Sequence, residues 1–115
     1  MAITEAYAGS ASISTTEYSL PANSTTLATV TDDGVYQVFL DLNALTVTEE
    51  YLMQVYEKVQ STGTKRVVFA ATFLGAQGQP IWVSPSLILL HGWDVTLDKV
   101  AGTDRTIEWS IRKVA

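Results

Sequence analysis

Apolar residues fall at every second position along much of this chain. In Gly34-Val35-Tyr36-Gln37-Val38-Phe39-Leu40-Asp41-Leu42, the side chains of Tyr36, Val38, Leu40 and Leu42 share one side of an extended strand. Ile107, Trp109 and Ile111 repeat the pattern within residues 106–112. Side chains two apart point to the same face of a strand, so such segments are half-buried and belong to a sheet packed on something. Further strands are predicted near 10–14, 17–20, 25–31, 51–59, 65–74, 81–84 and 86–91, and along Trp93, Val95 and Leu97, with a last one over 105–114. For 44–60 a helix is the alternative, since Glu49, Glu50 and Lys58 suit one; the β-branched and aromatic content favours a strand.

The breaks between these segments carry turn chemistry. Pro21 cannot donate a ladder hydrogen bond, and Asp32-Asp33-Gly34, Ser61-Thr62-Gly63-Thr64 and Val100-Ala101-Gly102-Thr103-Asp104 combine side chains that bond nearby backbone with glycine. Residues 61–64 and 100–104 read as hairpin turns. Eight to ten short strands with connections this brief predict an all-β fold, an antiparallel, jelly-roll-like β-sandwich, because parallel strands need long crossovers. The chain of 115 residues reads as a single domain, 1–115, and shows no internal repeat. Residues 2–31 are rich in Ala, Ser and Thr, and residues 1–9 are read as a flexible N-terminal arm that orders against a neighbouring subunit.

Composition narrows the function. With no cysteine there are no disulfides, thiolate metal sites or cysteine nucleophiles. A formal charge of −5, with no basic run longer than two residues, argues against nucleic acid as a partner. No apolar run approaches the roughly 20 residues that span a bilayer as a helix, so no membrane partner is expected. The start of the chain lacks a basic region followed by an apolar one, so synthesis in a cytoplasm without a secretory signal is expected.

Candidate chemistry is sparse. His91 is the only histidine, and as a base oriented by Asp94 or Asp98 it lacks a glycine-flanked serine nucleophile and a second histidine for a metal. A bulge histidine bonding backbone is the simpler reading. Asp32-Asp33-Gly34 lacks the alternating oxygen ligands of a calcium loop, since Tyr36 and Val38 occupy those places. No catalytic residue, metal ligand or cofactor site is therefore assigned, and the chain is read as a non-enzyme. Trp93 and Trp109 sit on apolar strand faces and are predicted core; Trp82, beside Pro80, is predicted to be a surface anchor. Both faces of several strands are partly apolar: Leu52 and Tyr56 oppose Met53 and Val55, Val35 and Phe39 oppose Tyr36 and Val38, and Val68 and Ala70 oppose Val67 and Phe69. Such surplus surface points to a homo-oligomer.

The stretch 34–45, the segment Tyr51-Leu52-Met53-Gln54-Val55-Tyr56-Glu57-Lys58-Val59, and Gly92-Trp93-Asp94-Val95-Thr96-Leu97 with 101–112 together resemble small virion structural proteins of tailed bacteriophages. The resemblance implies a capsid decoration or cement protein, a trimer on the virion exterior that contacts the major capsid protein. Ile3, Tyr7 and Ile13 are the expected arm contacts. The alternative is a tail- or fibre-associated carbohydrate- or receptor-binding module that uses Trp82.

Overall fold

The computed structural model describes residues 2–114; Met1, the first residue of the expected arm, and Ala115 lie outside the described residues. Among the described residues nine strands form: β1 (Ile3–Ile13), β2 (Tyr18–Ser19), β3 (Gly34–Asp41), β4 (Glu50–Glu57), β5 (Arg66–Leu74), β6 (Ile81–Val83), β7 (Leu87–Leu89), β8 (Asp94–Ala101) and β9 (Arg105–Val114). A front sheet runs β1-β9-β3, with β6 and β7 sharing the far edge of β3; a back sheet runs β2-β8-β4-β5. Every pairing is antiparallel. The architecture is the all-β sandwich that the alternation predicts. Residues 44–60 contain β4 and no helix.

The chain changes sheet at most connections. Only β4 and β5 form a sequential hairpin, around residues 58–65. The turn at 100–104, predicted as a hairpin, instead carries the chain from β8 in the back sheet to β9 in the front one. Gly102 makes that crossing possible. Its φ is +91°, and a Cβ there would stand 2.5 Å from the Thr48 carbonyl oxygen, so any side chain meets both backbone strain and a clash.

The core lies between the inward faces. Tyr36, Val38, Leu40, Ile107, Trp109 and Ile111 from the front sheet meet Tyr51, Met53, Val55, Phe73, Val95 and Leu97 from the back. Trp93 packs at one end, with its ring centroid 4.7 Å from that of Tyr36 and edge-on to Tyr7 at 5.8 Å; its indole N–H donates to the Asp32 carbonyl over 3.0 Å. Two fully buried carboxylates fasten loops to this frame. Asp94 accepts hydrogen bonds from Ser19 Oγ, from Ala28 N and from its neighbour Val95 N. Glu49 accepts from Thr46, Thr48 and the Arg105 guanidinium.

Two expectations are corrected here. Residues 1–9 are not a loose arm over the described part: Ile3 to Ile13 form one strand, in register with β9 from Val114 to Arg105 across a bulge between Glu5 and Tyr7. The small residues that suggest flexibility are a packing requirement, since a Cβ on Gly9 would stand 2.7 Å from the Trp109 ring. Residues 25–31 are not a strand either. The Ala28 N–H is taken by Asp94 and its carbonyl by Lys65 Nζ, which leaves only the Val30–Trp93 bridge.

Candidate functional site

The outward side of the front sheet exposes an organised row of apolar side chains. Registers across β1, β9, β3 and β7 place Ile3, Val114, Val35 and Ile88 side by side in a single row. Ile3 is 69% exposed, Ile88 80% and Val114 37%, with Val35 half-buried between them. Alternation puts these residues on the face opposite Tyr36, Ile111 and Leu87. Four aliphatic side chains thus span the width of the sheet. Neighbouring strands lie about 4.8 Å apart, so the row is about 15 Å long.

Toward the middle of the sheet the chemistry changes. The Arg112 guanidinium lies 3.8 Å from the centroid of the Phe39 ring, and its Nε donates to Ser110 Oγ over 3.2 Å. Ser110 in turn donates to Glu5 Oε2 over 2.6 Å. The network joins one cation to one anion. Beyond it Asp41 and Glu108 stand directly opposite each other in the ladder, flanked by Ser10 and Ile81. An open trough of about 520 Å³ runs along this part of the face, bounded by Glu5, Ser10, Phe39, Asp41, Glu108 and Arg112 among others. Along the strands the face therefore grades from an aliphatic row through a neutral network to a carboxylate pair.

The back sheet's outer side is polar over β8 and β4, around Glu17, and apolar along its β5 edge, where Val68, Ala70 and Leu74 are exposed. Glu17 accepts the hydroxyls of Tyr56 and Thr96. Burial, reinforced by the hydrogen bond to Glu17, pushes the Tyr56 phenol up to about 12, so it remains a donor through the physiological range. Burial, and then the charge of Glu17, raises the Asp98 carboxyl.

The expected contact residues are dispersed. Ile3 lies in the aliphatic row. Tyr7 is half-buried and faces inward against Trp93. Ile13 is fully buried in the core, so it cannot touch a neighbour; its place in register with Arg105 on the inward side fixes this. Trp82 is half-buried, with its ring stacked 6.5 Å from Phe69 and edge-on to Phe73 at 5.1 Å, sealing the open side of the sandwich between β6 and β5. It is a seal more than a free anchor. The row partners Val35, Ile88 and Val114 were not among the expected contacts; the alternation marks Val35 as second-face, but only strand order places it beside Ile3 and Ile88. His91 donates its backbone N–H to Glu57, and Asp94 is turned to Ser19 and Ala28.

No protein-family model matches this sequence, and no curated protein matches it. Among solved structures, Eiger TNF from S. frugiperda is similar at 13% identity over 97% of this chain and 88% of that one, with a TM-score of 0.49. A xylan-binding domain of carbohydrate-binding family 22 is 15% identical over 86% of this chain, with a TM-score of 0.43. A pentameric capsid protein isolated from metagenomic phage sequences is 8% identical over 96% of this chain, with a TM-score of 0.40. The chain spans 64% and 63% of the length of the latter two. Likeness at these identities is one of fold, not of ligand or partner.

Proposed function

We propose that this protein is a non-enzymatic structural component of a phage virion, a decoration or cement protein that self-associates and binds the exterior of the capsid shell through the outer face of its front sheet. The observation that carries the reading is the aliphatic row of Ile3, Val114, Val35 and Ile88, seated on a rigid sheet and open to solvent. Burying apolar area stabilises a contact by about 25 cal/mol per Å2. Each copy then contributes a modest contact, and multivalent attachment of linked copies multiplies it. The network around Arg112 and Phe39 supplies a polar margin that fixes orientation.

The reading is tested by co-sedimenting the protein with capsid shells of the phage that encodes it, prepared without it. Ile88→Asp leaves folding intact, because Ile88 is exposed, and is expected to weaken binding about tenfold or more, since an unpaired carboxylate would be buried in an apolar contact. Unchanged binding by a double variant, Ile3→Asp with Ile88→Asp, removes the row from the function.

The trough favours a second reading, a carbohydrate-binding module of a tail or fibre. Its volume falls in the range of small-ligand sites, about 300–1,000 Å3, and its hydroxyl and carboxylate lining suits sugar hydroxyls. Glycan-array binding that disappears in Phe39→Ala would decide for it; a blank array decides against it.

A further inference from the structure

We propose that two copies of this chain join through β5, each laying its edge strand antiparallel to the other's about a two-fold axis, so that their back sheets continue as one. The inference rests on the self-association reading above and names the surface and partner for it.

Edge strands present unpaired backbone N–H and C=O groups, and most proteins blunt them. Three of the four edges here are blunted. β2 is two residues long, β6 and β7 are three each with Pro85 between them, and β1 is bulged at Ala6 and turns small Ala8, Ser10 and Ser12 outward. β5 carries a bulge of its own at Val68 but differs from them in length and make-up. It runs nine residues without proline, carries no charge after Arg66, and is rich in residues that favour strands. Among the described residues its strand pairing runs to β4 alone. Val67, Val68 and Leu74 on it are 44%, 48% and 67% exposed.

Charge identifies the partner. A molecule with net charge −5 is repelled by its own copy wherever like charges meet. No Asp, Glu, Lys or Arg occurs from Val67 to Trp93, the run that supplies β5 after Arg66 and, in the front sheet, β6 and β7, so contact along β5 beyond Arg66 buries no charge of its own. The rims are complementary as well. Arg66 opens β5 in register with Glu57, whose carboxylate is taken by the Leu90 and His91 N–H groups, and Glu50 stands in register with Leu74 at the far end; neither Arg66 nor Glu50 belongs to the ion pairs found among the described residues, Lys99–Asp104, Arg105–Glu49 and Lys113–Asp32. Antiparallel apposition brings the Arg66 end of one copy to the Glu50 end of the other, at both rims. Such an isologous contact closes at two copies rather than the three that the phage resemblance implies.

Light scattering on the full chain after size exclusion is expected to give twice the 12.5 kDa protomer mass. Ala70→Lys and Ala70→Glu, on the exposed side of β5, are each expected to halve that mass, and mixing the two variants in equal amounts is expected to restore it. Like charges facing across paired strands oppose association, and unlike charges favour it. Circular dichroism checks that each variant folds, with Thr72→Lys and Thr72→Glu as a second pair. On the unmodified chain, amide exchange over residues 67–73 should be about tenfold slower at high concentration than on dilution. A wild-type mass of one or three protomers, or an undiminished mass in the lysine variants, overturns the proposal. A protomer that still sediments with shells overturns the β5 contact alone; a dimer that ignores shells overturns the capsid reading alone.

Discussion

Trp93→Ala is expected to be the most damaging single substitution in the core, lowering stability by about 3–5 kcal/mol. The indole is fully buried, packs against Tyr36 and Tyr7, and donates its N–H to the Asp32 carbonyl. Truncation leaves a cavity that two sheets and the Val30 bridge hold open, and it removes one of the two donors to the Asp32 carbonyl, leaving the Tyr36 hydroxyl as the other. Domains of this size keep only about 5–15 kcal/mol in total, so the variant approaches the limit of folding. At about 4–8 °C per kcal/mol, its melting midpoint should fall by more than about 12 °C. Trp93→Phe keeps most of the volume and should recover over half of the loss. A melting curve for Trp93→Ala within a few degrees of the parent would mean that the end of the sandwich is not organised around this ring.

Glu49→Gln is expected to produce the largest pH-dependent change. Hydrogen bonds from Thr48, from the Thr46 N–H and from Arg105 hold the Glu49 carboxyl well below the usual carboxylate range, against the burial that opposes them. A group depressed on folding contributes stability that is fully present above its unfolded pKa and is lost as the pH falls toward its folded value. Hydrogen bonding to Lys113, and then to Tyr36, lowers Asp32 in the same direction. Asp94 has the opposite sign: burial raises it, so its contribution declines as the pH rises from the ordinary aspartate value through the raised one. The parent should therefore lose stability steeply below about pH 4.5, while Glu49→Gln should be weaker at pH 7 and lose less on acidification. Thermal melts of both at pH 7 and pH 3 measure this. A constant gap between the two curves would show that Glu49 is not the group responsible.

Much of the architecture was readable from periodicity alone. The Tyr36-Val38-Leu40 and Ile107-Trp109-Ile111 faces are buried as alternation requires, because a strand covered on one side must place every second residue inward. The misread parts have a common cause, which is that the deciding partner is remote in sequence. Ala8, Gly9 and Ser10 look like a tether until Trp109, a hundred residues away, is placed beneath Gly9. Residues 25–31 look like a strand until Asp94 and Lys65 take the backbone bonds of Ala28. The turn at 100–104 has hairpin chemistry but joins strands of different sheets, and no local signal separates those outcomes.

The candidate face was less legible for the same reason. Ile3 stood out by its type, but its neighbours in the row come from positions 35, 88 and 114, and only strand order assembles them. Ile13 carries the same apolar character as Ile3, so the sequence alone groups the two. The bulge between Glu5 and Tyr7 puts the two on opposite sides of one strand, one outside and one in the core.

The pairing of Ile3 with Val114 has a mechanical consequence. With β1 and β9 antiparallel, the start of β1 and the end of β9 lie side by side at one corner of the sandwich. Tension applied between them would part the ladder one rung at a time, like a zipper, instead of shearing all its hydrogen bonds together. Load delivered through the start of β1 and the end of β9 therefore meets little resistance. Force spread over a sheet face must instead move the whole sandwich at once, so the fold withstands strain better when gripped by its flat side.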